Sequence, residues 1–437
     1  MWTASSKPLT KHDGRRGFTI VELLIVIVVI GILAAITIVA YNGIQQKAHV
    51  AALQSDLNGA ATTLEVANIS NGTYPTDLSS AGLKASAGTT YQYTYTAAGN
   101  SYCLTGTNSG VSYMVSTANA VPTVGTCSGD ISCVASGPSI TWTQRTSAGA
   151  KNWWGVASSI DGVKQVATEY AGGYIYTSTD SGATWTQQAS GAKAWLYVAS
   201  SSDGTKLVAD EYGGYLYTST DSGVTWMQRT STGAQIWWGL ASSADGSKIS
   251  AVNGSTGAGY PFTSTDSGAT WTQRTSAGSQ NWVALASSSD GTKLVTGAYG
   301  GGYLSTSTDS GATWTQRASA GARSWHSVSS SADGTKLIAT DNAPGYIYTS
   351  TDSGANWTAR TCVGSRSWGW TASSADGTKL VAGVYNGGYI YTSADSGATW
   401  TQQTSAGSRH WYGITSSADG TKITTLDYGG YIYTGVY

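Results

Sequence analysis

The stretch Ser178-Thr179-Asp180-Ser181-Gly182-Ala183-Thr184-Trp185 decides the fold of this chain. The same octad, nearly unchanged, occurs six times in the sequence. Successive copies lie 41 to 45 residues apart, and a fixed period of this length indicates a repeat architecture with one supersecondary unit per period. The tryptophans that end the six copies are Trp185, Trp226, Trp271, Trp314, Trp357 and Trp400.

The octad is predicted to form a β-turn that leads into a strand. The Asp180 side chain can accept hydrogen bonds from the backbone N–H groups just after it, and Gly182 can adopt a positive φ. Trp185 then supplies a large apolar surface for packing between sheets. The spacing resembles the Asp-box, S-x-D-x-G-x-x-W, of sialidase-type β-propellers.

Each period carries four strand signals separated by turn signals. In the first period the strands are predicted at 153–159, 164–168, 174–178 and 185–188. The fourth strand has a further copy at Trp142-Thr143-Gln144-Arg145, where no octad precedes it, and 431–434 stands where the next octad would begin. We therefore expect residues 140–437 to form an all-β propeller of seven four-stranded blades, closed by strand exchange so that no long edge stays unpaired.

The N-terminal region is predicted to be a basic leader, 1–17, followed by a long helix, 18–68. Residues 23–41 carry no charge, and a helix of this length measures about 28 Å, which is enough to cross a bilayer core. We expect 18–41 to lie in a membrane or a filament core, with the basic N-terminus in the cytoplasm. The later half is amphipathic, with Leu53, Leu57 and Leu64 on one face.

The junction Gly17-Phe18-Thr19-Ile20-Val21-Glu22 resembles that of type IV prepilins. This resemblance implies cleavage after Gly17 by prepilin peptidase, methylation of the Phe18 amino group, and pairing of Glu22 with the Phe18 amine of a neighbouring subunit. A carboxylate in a membrane helix costs roughly 2.5–3.5 kcal/mol, so Glu22 needs such a partner. The alternative is a plain signal anchor with a stray glutamate.

The same resemblance implies partners and a location for the chain. Its partners would be other pilin subunits, the prepilin peptidase and the pilus assembly machinery. The protein would lie in the cytoplasmic membrane before assembly, with the propeller outside, and in the pilus or on the cell surface afterwards. The net charge of −1 gives no reason to expect nucleic acid as a partner.

Residues 69–127 are predicted to form a small α+β pilin head, with antiparallel strands at 91–96, 101–105 and 111–116, and 128–139 a linker. The chain has four cysteines, which permit three complete pairings. The pilin resemblance favours a disulfide between Cys103 and Cys127, which leaves Cys133 and Cys362 without an assigned role. The four histidines are scattered, so neither a metal nor a cofactor is expected.

A ligand site is predicted where the loops that enter the first strand of each blade meet. These loops hold a ring of seven tryptophans, which either fill the core or stand exposed as stacking platforms, and a polar ring two residues earlier. Arginine matches carboxylate or hydroxyl pairs better than glutamine does, which favours the last three blades. The predicted site comprises Trp325, Trp368, Trp411, Arg323, Arg366 and Arg409, with Asp341 and Asp427 at its edge.

The sequence favours a pilin-like surface subunit, minor or at a pilus tip, that displays a propeller for adhesion to a glycan or protein. One alternative is a sialidase-like glycoside hydrolase, which needs a placed carboxylate pair or a tyrosine nucleophile. The Arg-Ile-Pro of that family is absent, and the arginines recur at equivalent positions, so the chain is not expected to be an enzyme. Another alternative is a structural or protein-assembly propeller.

The prepilin-like junction generates a first prediction. We expect the assembled protein to begin at an N-methylated Phe18, which mass spectrometry of surface-extracted material will detect. Assembled protein that retains Met1 would contradict the prepilin interpretation. As a control, Gly17→Ala should leave the leader attached and reduce assembly.

Overall fold

The structure is a computed structural model that describes residues 20–96, 100–109, 111–117, 119–124, 140–254 and 259–437. The chain divides into two compact units, Met1–Ile131 and Ser132–Tyr437. The predicted leader, Gly17, Phe18, Cys127 and the linker 128–139 lie outside the described residues. The side chain of Glu22 lies outside them as well.

The described residues of the first unit form one long helix and one antiparallel sheet. The helix α1 (Ile20–Asn71) ends three residues later than predicted. The sheet has the order β1-β2-β3-β4. Its strands are β1 (Thr89–Thr96), β2 (Ser101–Asn108), β3 (Val111–Ser116) and β4 (Asn119–Val124).

The amphipathic half of α1 packs on this sheet, as predicted. Leu53, Leu57 and Leu64 are fully buried, in one cluster with Tyr102 and Leu104 of β2. The sequence analysis missed β4, which contains a proline, Pro122. Because β4 is the edge strand of the sheet, the N–H that proline lacks is not needed by a further strand.

Two expectations for this unit bear on residues beyond the described ones. Within the described part of the chain, no helix is long and apolar enough to cross a bilayer. The side chains of the predicted span, 18–41, lie outside the described residues. Cys103 is disulfide-bonded, and its pairing with Cys127 stays a prediction because Cys127 is not described.

The second unit is a propeller of seven four-stranded blades, as predicted. Blade 1 comprises β6 (Lys151–Ser158), β7 (Gln165–Glu169), β8 (Ile175–Ser178) and β9 (Thr186–Gln187). Blade 2 comprises β10 (Trp195–Ser200), β11 (Leu207–Glu211), β12 (Leu216–Ser219) and β13 (Met227–Arg229). Blade 3 comprises β14 (Trp237–Ser242), β15 (Ile249–Asn253), β16 (Pro261–Ser264) and β17 (Thr272–Gln273).

The next three blades repeat this pattern. Blade 4 comprises β18 (Trp282–Ser287), β19 (Leu294–Ala298), β20 (Leu304–Ser307) and β21 (Thr315–Arg317). Blade 5 comprises β22 (Trp325–Ser330), β23 (Leu337–Asp341), β24 (Ile347–Ser350) and β25 (Thr358–Arg360). Blade 6 comprises β26 (Trp368–Ser373), β27 (Leu380–Val384), β28 (Ile390–Ser393) and β29 (Thr401–Gln403).

Blade 7 is completed by strand exchange. It comprises β30 (Trp411–Ser416), β31 (Lys422–Gly430), β32 (Ile432–Val436) and, from the beginning of the unit, β5 (Thr141–Arg145). β5 pairs with β32 over five residues, from Thr141 opposite Val436 to Arg145 opposite Ile432. The guanidinium of Arg145 also donates to the Thr434 hydroxyl at 2.8 Å, as Arg229 does to Thr218 within blade 2. The exchanged strand is therefore held as firmly as one within an uninterrupted blade.

The octad forms the predicted turn. The Thr184 N–H donates to the Asp180 carboxylate at 2.9 Å, and Gly182 has a φ of 79°. The Ser181 N–H donates to the carbonyl of Val163, in the Asp161-Gly162 turn of the same blade, at 2.9 Å. The octads and the Asp-Gly turns thus share one face of the propeller, the turn face.

Blade 3 carries a proline, Pro261, in its third strand. Because proline removes a donor from the ladder, a bulge is expected at this position. The β15–β16 pairing instead keeps its register, with Pro261 opposite Val252. Pro261 is the first residue of β16, and the equivalent Ile175 N–H in blade 1 bonds to a serine hydroxyl, Ser190, so no ladder bond is lost.

The turn face makes the propeller sensitive to acid. The Ser374 hydroxyl and the Thr378 N–H donate to Asp376 and lower the pKa of this carboxyl to about 2, and Asp203, Asp290, Asp333 and Asp419 have the same arrangement. A lowered pKa stabilises the fold above the usual value of 3.8, and this contribution disappears as the pH falls towards 2. We expect the thermal midpoint to fall across this interval. The Asp376→Asn, Asp419→Asn double variant should show a shallower fall, and an equal slope would contradict the assignment.

Candidate functional site

The loops on the other side of the propeller, the loop face, bring the candidate residues together. The loop between the second and third strands of each blade contacts the loop that enters the next blade. In blade 1, the Lys193 N–H donates to the Gly173 carbonyl at 2.9 Å. Within that blade, the Tyr170 N–H donates to the Asn152 carbonyl at 2.8 Å. These bonds place the ends of the second strands beside the starts of the first strands.

The ring of tryptophans lies in the core. The tryptophans therefore fill the core and are not exposed stacking platforms. Trp325, Trp368 and Trp411 are 0% exposed. Each packs edge-on against a tyrosine of the third strand, as Trp411 does against Tyr433 with 5.3 Å between the ring centres. A fully buried indole offers no face to a ligand, so the prediction that these three tryptophans are stacking platforms is wrong.

The predicted arginines and aspartates do meet on the loop face, each pair within one blade. Arg323 lies 3.6 Å from Asp341 in blade 5, and Arg409 lies 3.4 Å from Asp427 in blade 7. Burial raises the pKa of both carboxyls, and the neighbouring arginines oppose this rise. The Nε groups of both arginines donate to backbone carbonyls three residues earlier. Arg323 and Arg409 are thereby held in place and paired.

The third predicted arginine, Arg366, has no carboxylate beside it. Its guanidinium lies 5.4 Å from the ring centre of Tyr391, and its Nε donates to the Val363 carbonyl at 3.1 Å. Val384 occupies the position that Asp341 and Asp427 hold in the neighbouring blades. Arg366 is exposed, whereas the two other arginines are half-buried.

A second set of side chains on the loop face was missed by the sequence analysis. We call it the aromatic mouth. It lies around the starts of the first strands, next to the buried tryptophans. Its members are Trp154, Tyr170, Tyr212, Trp238, Tyr299, His326, Trp370, Tyr385, Tyr412 and Tyr428.

Ring contacts run through most of the aromatic mouth. Trp154 of blade 1 lies 5.1 Å from Tyr170 and 4.9 Å from Tyr412 of blade 7. Trp370 of blade 6 lies 4.4 Å from Tyr412 and 4.7 Å from His326 of blade 5. On the other side, Tyr212 lies 6.3 Å from Tyr170 and 6.1 Å from Trp238 of blade 3. These centre-to-centre distances are typical of aromatic pairs.

The outer members of the mouth keep open ring surface. Tyr212 and Tyr299 are 41% exposed, whereas Trp370 and Tyr412 are buried at 8% and 6%. The mouth thus has a packed inner part that holds its shape and an outer part that a ligand can contact.

A signal in the sequence could have revealed this set. The residue that follows the position opposite the buried tryptophan is tyrosine in five of the seven blades, with Gly254 and Asn342 as the departures. The residues after the ring tryptophan vary between blades, from Trp154 to Val283 to His326. The tryptophans are invariant instead, and invariance within a repeat marks the shared core.

Two titratable groups, His326 and Asp210, are buried in this part of the propeller. Burial lowers the pKa of His326 to about 4, so the imidazole is neutral at pH 7. Burial raises the pKa of Asp210, which is 0% exposed and accepts the Tyr197 N–H at 2.8 Å. Blade 5 carries Thr340 at the position of Asp210, and its hydroxyl donates to the Gly369 carbonyl of the next blade at 2.7 Å.

The described residues contain no group of three or more histidine, cysteine, aspartate or glutamate side chains that could hold a metal ion. The carboxylates of the loop face are each placed against a cation of the same blade. Lys151 lies 3.5 Å from Glu169, and Lys193 lies 3.3 Å from Glu211. The arrangement can therefore bind and orient a ligand through aromatic surface and through Arg366.

Comparisons with known proteins define the two parts of the chain separately. The family model described as Prokaryotic N-terminal methylation motif matches residues 13–38. The chain is 34% identical over 73 residues to the type IV major pilin protein PilE of Neisseria gonorrhoeae, which is 17% of this chain and 44% of that protein. It is 36% identical over 64 residues to the type II secretion system core protein G of Escherichia coli, with 15% and 44% covered. The chain thus spans less than half the length of these relatives.

Solved structures similar to the chain are β-propellers. YCF48 from Cyanidioschyzon merolae covers 68% of this chain with 98% of its own, at a TM-score of 0.53 and 15% identity. The Cps50 (Swd1) β-propeller domain of Myceliophteria thermophila covers 68% with 100% of its own, at a TM-score of 0.55 and 12% identity. At these identities the likeness shows the fold alone. The chain therefore joins a prepilin methylation motif with pilin relatives at its N-terminus to a propeller.

The contrast between the buried tryptophans and the exposed tyrosines of the loop face generates a stability prediction. Trp411→Ala removes a fully buried indole and should lower the free energy of unfolding by about 3–5 kcal/mol. Tyr299→Ala, the matched surface change, should alter it by no more than about 0.5 kcal/mol. Chemical denaturation of both variants measures this difference. Equal losses would show that the two sets are not core and surface.

Proposed function

We propose that this chain is a pilin-like surface subunit whose propeller binds an extracellular ligand through the aromatic mouth and so mediates adhesion. The observation that carries the proposal is the concentration of exposed aromatic surface on the loop face. That surface lies on a closed ring of blades and includes a tyrosine that recurs in five of the seven.

The N-terminal part supports surface display. The methylation motif at 13–38 and the pilin relatives favour processing at Phe18 and assembly with other pilin subunits through α1. The sheet β1–β4 packed on α1 would then be the pilin head, and Glu22 the partner of a neighbouring Phe18 amine. The proposed location is the cytoplasmic membrane before assembly and the pilus or cell surface afterwards.

The propeller supports a binding role. Aromatic rings with open faces stack on the apolar faces of sugars or on side chains of a partner, and tyrosine hydroxyls add hydrogen bonds. Tyr212 and Tyr299 provide such faces in blades 2 and 4. Because their backbones are tied to neighbouring strands by hydrogen bonds, little order has to be gained on binding.

Catalysis is the weaker alternative. A sialidase-like or other glycoside hydrolase needs carboxylates, or a tyrosine with its base, placed together around one bond. The carboxylates of the loop face instead recur at equivalent positions of separate blades, each against its own cation. The octads, which resemble the Asp-box, hold turns on the opposite face and contribute nothing to a site on this one.

Adhesion through the mouth can be tested with the full-length chain produced on cells. The Tyr212→Ala, Tyr299→Ala double variant should reduce attachment to a glycan- or protein-coated surface by about tenfold, because two stacking contacts are lost. Attachment under flow measures the effect. The surface used is one that wild-type cells bind and cells without the chain do not.

The control changes exposed apolar surface on the turn face. Ile160→Ala removes a side chain that is 55% exposed there and should leave attachment unchanged. Surface levels of the chain are compared by immunoblot. Equal attachment by the mouth variant and the wild type, at equal surface levels, would overturn the proposal.

A further inference from the structure

In six of the seven blades, the side chains at two loop-face positions either carry opposite charges or are both uncharged. The first lies two residues before the buried tryptophan, and the second lies at the end of the second strand, opposite that tryptophan. Blades 1, 2, 5 and 7 pair a cation with a carboxylate. Blade 3 pairs two amides, Gln235 and Asn253, which are hydrogen-bonded, and blade 4 pairs Gln280 with Ala298.

Blade 6 breaks this rule. Its cation is Arg366, and the opposite position holds Val384. Among the described residues, Arg366 is the ring cation for which no carboxylate lies within 4.0 Å. The fold requires no unpaired charge here, because the six other blades satisfy the same geometry with a neutral or balanced pair.

The guanidinium of Arg366 is fixed in position and open to solvent. Its Nε bond to Val363 is the one that Arg323 and Arg409 make in their own blades. In blade 7 the next group along, Nη1, reaches Asp427 at 3.4 Å. In blade 6 the position of Asp427 holds Val384, so no carboxylate meets the Arg366 guanidinium, whose side-chain hydrogen-bond partner is the Tyr391 hydroxyl. The exposed remainder of the guanidinium is available to a ligand.

Arg366 also borders the aromatic mouth. The N–H of Tyr385, the residue after Val384, donates to the carbonyl of Ser367, the residue after Arg366, at 2.8 Å. The Tyr385 ring lies 5.8 Å from Trp370 and 5.4 Å from Tyr412. Trp370 and Tyr412 are buried, so the open ring surface beside Arg366 is that of the half-buried Tyr385, which an extended ligand can reach together with the cation.

We propose that Arg366 is the specificity-determining residue of the mouth and that the ligand is a carbohydrate that carries carboxylate groups. The inference rests on the proposed binding function. A planar guanidinium donates two parallel hydrogen bonds to a carboxylate, and the aromatic rings stack on the C–H faces of the sugar. An acidic peptide is the competing ligand class, and the polyglutamate arm of the test below distinguishes it.

The test uses detergent-solubilised full-length chain and polygalacturonate, with EDTA present, against the same polymer fully methyl-esterified. The wild type should bind the acidic polymer at least tenfold more tightly than the ester, because esterification removes the charge that Arg366 contacts. Polyglutamate is the third polymer. Binding to polyglutamate with an affinity equal to that for polygalacturonate would overturn the carbohydrate assignment.

The decisive variant gives Arg366 the carboxylate partner that the arginines of blades 5 and 7 have. Val384→Asp places a carboxylate opposite Arg366, as in blades 5 and 7, and should weaken binding to polygalacturonate by tenfold or more without lowering the thermal midpoint. Val384→Asn, which has the same shape without the charge and copies blade 3, should bind as the wild type does. Arg366→Ala should match Val384→Asp.

A second variant tests whether a newly unpaired arginine increases binding. Asp427→Asn removes the partner of Arg409 and should tighten binding to polygalacturonate. Unchanged binding by a folded Val384→Asp variant would overturn the inference. If that variant still supports cell attachment that the Tyr212→Ala, Tyr299→Ala variant lacks, the proposed adhesion stands and only the ligand class is wrong.

Discussion

A closed circle of seven backbone hydrogen bonds on the turn face holds the propeller together. The residue before each Asp-Gly pair donates its N–H to the carbonyl of the same residue in the next blade, at 2.7–2.8 Å. The seventh bond runs from Ala418 back to Ile160 and joins the last blade to the first. β5 completes blade 7 at its outer edge, where it pairs with β32. Lysines reinforce the circle, since Lys422 reaches the Asp161 carbonyl at 2.9 Å.

This constraint explains why the repeats are so uniform on one face and so varied on the other. The turns of the closed circle must present the same geometry seven times, and serine, aspartate and glycine supply it through side-chain-to-backbone hydrogen bonds. Each blade contributes a fully buried tryptophan, and in six of the seven an aromatic third-strand residue lies beside it, whereas blade 4 has Ser305 at that position. The hydrogen bonds of this circle do not involve side chains of the loop face. Loop-face residues such as Trp154, His326 and Arg366 can therefore differ between blades.

Symmetry therefore separates structure from function in this molecule. The paired cations and carboxylates repeat, are held over tyrosine rings, and stabilise the loops that they connect. The residues after the buried tryptophans differ between blades, and Val384 leaves Arg366 without a partner carboxylate within its own blade. We propose that this unbalanced charge serves a ligand and not the fold.

The sequence by itself determined the repeat, the number of blades, the exchanged strand and the helix with its buried leucines. These features follow from local turn chemistry and from the period of apolar residues, which any window of the chain contains. Only the tertiary structure decided which aromatic residues are exposed, because Trp153 and Trp154 are adjacent in sequence and point to different environments. It also decided which arginine is unpaired, since the position opposite Arg366 is set by the register of β26 and β27. Charge balance across two strands depends on which residues the strand register places opposite each other, and the repeat period of the sequence does not give that register.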